Sequence, residues 1–129
     1  MTHPITLPES ELEVMLCLWR HTQPVRTAQL WQEVSAQKQW TLSTSKVLLS
    51  RLEQKGFVEC SREGRFTLYR ALVSQAEYRR KETSSLLSRY YQNSAKQMVA
   101  SLVECGQLTD QDLAEIAQMI QKAGENHVT

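Results

Sequence analysis

The sequence predicts a mainly helical chain in two parts, three helices closed by a two-stranded β-hairpin over residues 1–72 and three more helices over residues 73–129. Three observations carry this prediction. Between residues 40 and 71 (WTLSTSKVLLSRLEQKGFVECSREGRFTLYRA) a helical period gives way to strand-like runs on either side of Gly64. Upstream, apolar residues recur at helical spacing in two stretches, around Met15 and around Leu30. Downstream, Ser74 with Glu77, Ser94 with Gln97 and Thr109 with Asp112 have capping-box spacing and mark three helix starts, the aspartate version being the weaker match.

The first helix is expected over residues 8–21. Pro8 suits the first helical position, and Glu9, Glu11 and Glu13 complement the positive end of the helix dipole. Leu12, Met15, Leu16 and Trp19 repeat at i, i+3, i+4 and i+7, with Val14 and Leu18 widening the band, so this helix belongs to the core. His21 to Pro24 makes a break. Thr27 caps or opens the second helix, which carries Leu30, Trp31 and Val34 inward, and residues 35–39 form a polar connector. Thr41 is the expected N-cap of the third helix, residues 41–54, which completes a helix-turn-helix pair.

That third helix has two faces. Ser45, Leu48, Leu49 and Leu52 share the face that docks, whereas Ser43, Thr44, Lys46, Val47 and Ser50 point the other way. Gly56 after Lys55 suits a helix C-terminus that needs positive φ. Residues 57–61 and 66–71 read as strands joined by Arg62, Glu63, Gly64 and Arg65, a connection with a basic tip. A polar-faced helix followed by a hairpin with two arginines is the geometry that a winged helix-turn-helix offers to a DNA major groove and its flanking phosphates.

Charge distribution agrees with this reading. Residues 38–70 hold seven cations against three anions, a net +4, whereas residues 73–129 hold six against seven, a net −1. Positive charge gathers on the reading unit, as polyanion binding requires. Thr41, Ser43, Thr44, Lys46, Val47 and Ser50 are the candidate groove-facing residues, with Val47 able to touch a thymine methyl. Arg62 and Arg65 are candidate phosphate contacts, and for Arg51 the sequence leaves open phosphate or a nearby carboxylate. Trp19, Trp31 and Trp40 are assigned to packing.

The tail reads as helices over residues 75–92, 95–105 and 110–123. About 55 residues in three short amphipathic helices bury too little surface to offset their conformational entropy alone. A second copy of the chain would supply the missing surface, so a two-fold dimer is expected, with Tyr78, Leu87, Tyr90, Tyr91, Val99, Leu102, Leu113, Ile116 and Ile120 building it. The alternative is that these helices fold back on the N-terminal part of their own chain.

Other classes find less support. At 129 residues, with 41% hydrophobic and 22% charged residues, the chain has the composition of a folded globular protein. It has no apolar run approaching about 18 residues, and MTHPITLPESE has neither a basic nor an apolar leader region, so no membrane insertion or export is expected and the cytoplasm is the expected location. Cys17, Cys60 and Cys105 are odd in number and widely spaced, which argues against disulfides and zinc, and His3, His21 and His127 have no second ligand candidate nearby in sequence. No phosphate loop, metalloprotease helix or nucleophile elbow is present, so no enzyme activity and no cofactor are expected. A winged-helix adaptor for protein partners is the rival class.

ELEVMLCLW at residues 11–19, W-x-x-S-T-S-K-x-L-L-x-R-L-x-x-K-G at 40–56, EGR at 63–65 with Tyr69, and RYYQNS at 89–94 run in one order over nearly the whole length. In these pieces the chain resembles the family of penicillinase, methicillin-resistance and copper-transport repressors. The resemblance implies a dimeric winged-helix repressor that binds a dyad operator in double-stranded DNA. In the antibiotic branch a membrane-bound sensor metalloprotease triggers release by cleavage in the helix at residues 95–105. The aligned bond falls at Ser101 and Leu102, where antibiotic repressors carry Asn and Phe. In the copper branch the trigger acts through a cysteine-rich tail, whereas this sequence ends QKAGENHVT. Ser45 stands at a position usually apolar and Val47 at one often threonine, so the family's base pattern is not carried over. A metal, a small ligand or thiol oxidation at one of the cysteines is the alternative trigger.

Overall fold

The structure, a computed structural model, describes residues 6–36 and 38–126; His3, His127 and Gln37 of the expected connector lie outside them. The described elements run α1 (Glu9–Leu18), β1 (Val25–Arg26), α2 (Thr27–Ser35), α3 (Leu42–Gln54), β2 (Val58–Glu63), β3 (Phe66–Ala71), α4 (Gln75–Tyr91), α5 (Ala95–Glu104) and α6 (Asp110–Asn126). They form two compact units, Met1–Ser85 and Leu86–Thr129.

The first unit is built on α1, which packs against α2, α3 and β3. Its buried residues are Glu11, Val14, Met15, Cys17 and Leu18, so the stripe is turned from the expected one, and Leu12, Leu16 and Trp19 are only half-buried. Three packing partners rather than one set this face, which the periodicity of α1 alone does not reveal. Pro8 is the N-cap rather than the first helical residue, with φ −56° and ψ 152°, and the helix ends at Leu18. Glu11 is 2% exposed and ion-paired with Lys55 at the C-cap of α3. Burial of that carboxylate is tolerable because a cation accompanies it.

Helix α3 is held at both ends by local chemistry. The Thr41 hydroxyl accepts the Thr44 N–H at 3.1 Å. At the other end Phe57 N–H donates to the Leu52 carbonyl at 2.9 Å and Gly56 N–H to Glu53 at 3.0 Å, with Gly56 at φ 81°, which is a Schellman closure. Ser45, Leu48, Leu49 and Leu52 are its buried residues.

The strands form one antiparallel sheet in the order β1-β3-β2. Strand β1 follows the expected break at residues 21–24 and is not expected from the sequence: Val25 pairs with Tyr69 and Arg26 with Leu68. The hairpin is tighter than expected, because Glu63 pairs with Phe66 and only Gly64 and Arg65 lie in the turn. Gly64, at φ 63°, takes the left-handed first position of a two-residue type II′ turn, where a side chain would be strained. Arg62 therefore belongs to β2, opposite Thr67, rather than to the tip.

All three tail caps form. Glu77 N–H donates to Ser74 Oγ at 3.0 Å and Gln97 N–H to Ser94 Oγ at 3.2 Å. The pair at Thr109 and Asp112 closes in both directions at 3.0 Å, although aspartate is the weaker match to the motif. Helix α6 extends to Asn126, past the expected end at residue 123. Tyr78, grouped above with the dimer-building residues, is taken up by its own chain instead. It is 8% exposed, lies 5.7 Å from the Trp19 ring and 5.9 Å from the Phe57 ring, and its hydroxyl accepts the Leu7 N–H at 2.9 Å. At the start of α4 its ring reaches the core through partners distant in sequence. In α5 and α6 no residue is buried.

Candidate nucleic-acid interface

The outward side of α3 carries Ser43, Thr44, Lys46, Val47, Ser50 and Arg51, all exposed, with Thr41 exposed at the cap and Val47 at 49%. Hydroxyls, one ammonium and one small apolar group thus share a surface, which is the mixture that reads base edges in a major groove. Thr41 has a structural duty as well, since its oxygen already serves the N-terminus of the helix. Arg51 forms no ion pair among the described residues, so the carboxylate alternative finds no partner here.

The wing divides its arginines. Arg65 sits in the turn, whereas strand alternation puts Arg62 on the side of Val58 and Cys60 and puts Phe66, Leu68 and Arg26 on the opposite side. Between the start of α3 and the wing lies a groove of about 320 Å³, lined by Leu42, Lys46, Arg65, Phe66, Arg26 and the neighbouring Thr27, Ala28 and Thr67, with no carboxylate among its lining residues. Sequence reasoning missed Arg26. It reaches this groove only because β1 pairs with β3, and a two-residue strand has no period to detect.

Ion pairing sorts the remaining charges. Lys55 is matched by Glu11, Arg70 by Glu59 at 2.7 Å, and Arg20 and His21 both by Glu33, at 3.6 and 2.8 Å. Burial pushes the Glu33 carboxyl up, but His21, Gln29 and Arg20 outweigh it and leave it below the usual range. Arg26, Lys46, Arg51, Arg62 and Arg65 have no ion-pair partner among the described residues, and all five are exposed. These five lie on α3 and the sheet; Lys38 and the six Lys and Arg residues of α4, α5 and α6 also have no ion-pair partner among the described residues, but the tail carries seven anions against its six cations. Beneath the wing, burial and the neighbouring Cys60 push the Tyr69 hydroxyl up to about 12.

A family model described as penicillinase repressor matches residues 7–122. The chain belongs to the penicillinase repressor family. Among its relatives in that family are the penicillinase repressor of Bacillus licheniformis, 28% identical over 116 residues covering 90% of each chain, and the methicillin resistance regulatory protein MecI of Staphylococcus aureus, 23% identical over 116 residues covering 90% of this chain and 94% of the relative. An uncharacterized 16.5 kDa protein of Latilactobacillus sakei is 32% identical over 111 residues, 86% of this chain and 75% of the other. The solution structure of the DNA-binding domain of the repressor BlaI superposes with a TM-score of 0.53 at 29% identity, covering 60% of this chain and 94% of that one. The monomeric form of Bacillus licheniformis BlaI in complex with the blaP half-operator superposes with a TM-score of 0.51 at 30% identity, covering 60% and 92%. These penicillinase repressors are DNA-binding transcriptional regulators, and their winged-helix DNA-binding domain, matched over 60% of this chain, is the fold of the first unit.

The C-terminal residues of the expected dimer surface fall into two groups. Tyr90, Val99, Leu102, Leu113 and Ile120 are exposed, whereas Leu87, Tyr91 and Ile116 are half-buried. Ser101 and Leu102 lie inside α5, and the Ser101 carbonyl accepts the Cys105 N–H at 2.9 Å. Among the described residues no group of three or more His, Cys, Asp or Glu is arranged to hold a metal ion, and no helix is long and apolar enough to cross a membrane.

Proposed function

We propose that the protein is a cytoplasmic repressor that binds a dyad operator in double-stranded DNA as a homodimer, with α3 in the major groove and the wing on the flanking backbone. One observation carries the reading. The outward face of α3 combines hydroxyls with unpaired cations and runs into a groove without carboxylates, on a fold shared with a protein solved on its half-operator. Residues 1–72 would serve as the reading domain and residues 73–129 as the dimerisation domain. The second copy would cover apolar residues that α5 and α6 leave exposed.

Gel shift with the promoter region upstream of the gene tests this. Arg65→Ala is expected to weaken binding to every duplex and to lower the slope of log affinity against log salt by about one unit for each protomer bound, the signature of one phosphate contact per half-site. Lys46→Ala is expected to cost about 1–3 kcal/mol on the operator and much less on unrelated duplex, as a base contact does. If the wild-type chain does not discriminate its promoter from unrelated DNA, the repressor reading fails. Release by cleavage between Ser101 and Leu102, as in the antibiotic branch, would require a sensor metalloprotease to unwind the last turn of α5 first, because that turn is hydrogen-bonded.

A further inference from the structure

Arg26 does more than sit near the wing. Its guanidinium carbon lies 3.8 Å from the centre of the Phe66 ring, and that of Arg65 lies 5.5 Å from the same ring. The register explains the closer contact. Arg26 pairs with Leu68, so Phe66 is its diagonal neighbour on the same face of the sheet, within reach of a long side chain. Phe66 flanks the turn of the hairpin and is 37% exposed, so its ring is open to a ligand lying in the groove. Its ring presents a face to two cations that no carboxylate within salt-bridge distance neutralises, although Glu63 stands opposite it in the ladder.

We propose that Phe66 is a positioning residue that holds Arg26 and Arg65 side by side, and that Arg26 is a further DNA contact, meeting the sugar-phosphate strand that lies in the groove between α3 and the wing. The inference rests on the repressor reading and adds a second anchor to it. Charge complementarity selects the occupant, because Arg26, Lys46 and Arg65 line the groove and no acidic residue does. A guanidinium stacked on an aromatic ring keeps its N–H edge free for phosphate, and its conformational freedom is already restricted before binding. Such contacts carry no base information, so they set register and affinity for all duplexes alike.

The test uses the full-length chain and two duplexes of about 30 base pairs, long enough for both half-sites of a dimer: the upstream promoter region and one of random sequence. Arg26→Gln is expected to weaken binding to both duplexes by the same factor, about fivefold to tenfold at moderate salt for each half-site, and to lower the salt slope by about 0.9 per protomer bound. Phe66→Leu is expected to weaken both about twofold to fivefold, Phe66→Tyr to restore wild-type binding, and Phe66→Leu to have a smaller effect once Arg26 is already Gln. That last coupling is one that mere support of the wing would not produce. If the wild-type chain binds its promoter while Arg26→Gln leaves affinity and slope unchanged, the contact is refuted and the repressor reading survives. If the wild-type chain binds neither duplex, both fall together. Equal losses from Phe66→Leu with and without Arg26 would overturn the positioning role.

Discussion

The two units of this chain solve the burial problem differently. In Met1–Ser85 a core of buried side chains, among them Met15, Leu30, Leu49, Leu52 and Phe57, is assembled from the helices, β1 and β2, with Tyr69 and Ala71 of β3 packed against it. In Leu86–Thr129 two well-capped helices, α5 and α6, and the end of α4 leave Tyr90, Val99, Leu102, Val103, Leu113, Met119 and Ile120 exposed. Good caps therefore coexist with a missing core. Local hydrogen bonds fix where a helix starts, but only removal of apolar surface from water fixes what it packs against. The first unit buries its large apolar residues within one chain, whereas the second leaves many of its own exposed.

The sharpest way to break that contrast is to charge the exposed apolar surface of the second unit. Leu102→Asp combined with Ile120→Asp removes two side chains that would each contribute about 2 kcal/mol when covered by a partner copy. A two-fold dimer carries each substitution twice, about 8 kcal/mol in all, so the dissociation constant is expected to rise about a millionfold, read by sedimentation as monomer. Trp19, Trp31 and Trp40 all lie in the first unit, so tryptophan fluorescence reports that unit alone and should stay native. A double variant that sediments like wild type would mean that these faces do not build the dimer.

How legible this was from sequence varies with the range of the interactions. The two faces of α3, its Thr41 cap, the Gly56 stop and all three tail caps could be read directly, because each depends on residues within about five positions of one another. What escaped depends on distant partners. Strand β1 exists through β3, more than 40 positions downstream, and it alone brings Arg26 to the groove. Tyr78 is buried by Trp19 and Phe57, so its place among surface residues of an amphipathic helix was misleading. Residues 62–65, three charged side chains and a glycine, read as a loop from sequence, whereas Gly64 lets the ladder run to Glu63 and Phe66 and keeps Arg62 in the strand.

A smaller effect is expected inside the complete unit, at its one buried ion pair among the described residues. Lys55→Ala leaves the Glu11 carboxylate buried without its cation, which should cost about 3 kcal/mol of unfolding free energy in urea. Glu11→Leu with Lys55→Met removes both charges and should recover most of that loss, because two apolar groups of similar size need no compensation. A loss below about 0.5 kcal/mol in the single variant would mean that water already solvates Glu11, contrary to its burial.

The smallest effect concerns the one residue on the docking face of α3 that does not match its neighbours. Ser45 is 3% exposed between Leu48, Leu49 and Leu52, and its hydroxyl has no hydrogen-bond partner among the described residues. A buried hydroxyl without a partner is unfavourable by about 1 kcal/mol or more, and alanine is also the better helix former by about 0.5 kcal/mol. Ser45→Ala removes one atom, leaves little void, and should stabilise the first unit by about 1 kcal/mol. Thr44 and Lys46 on either side point outward and keep their places, so DNA affinity should not change. Destabilisation by more than about 0.5 kcal/mol would show instead that the hydroxyl is satisfied, by an internal water or a carbonyl one turn back.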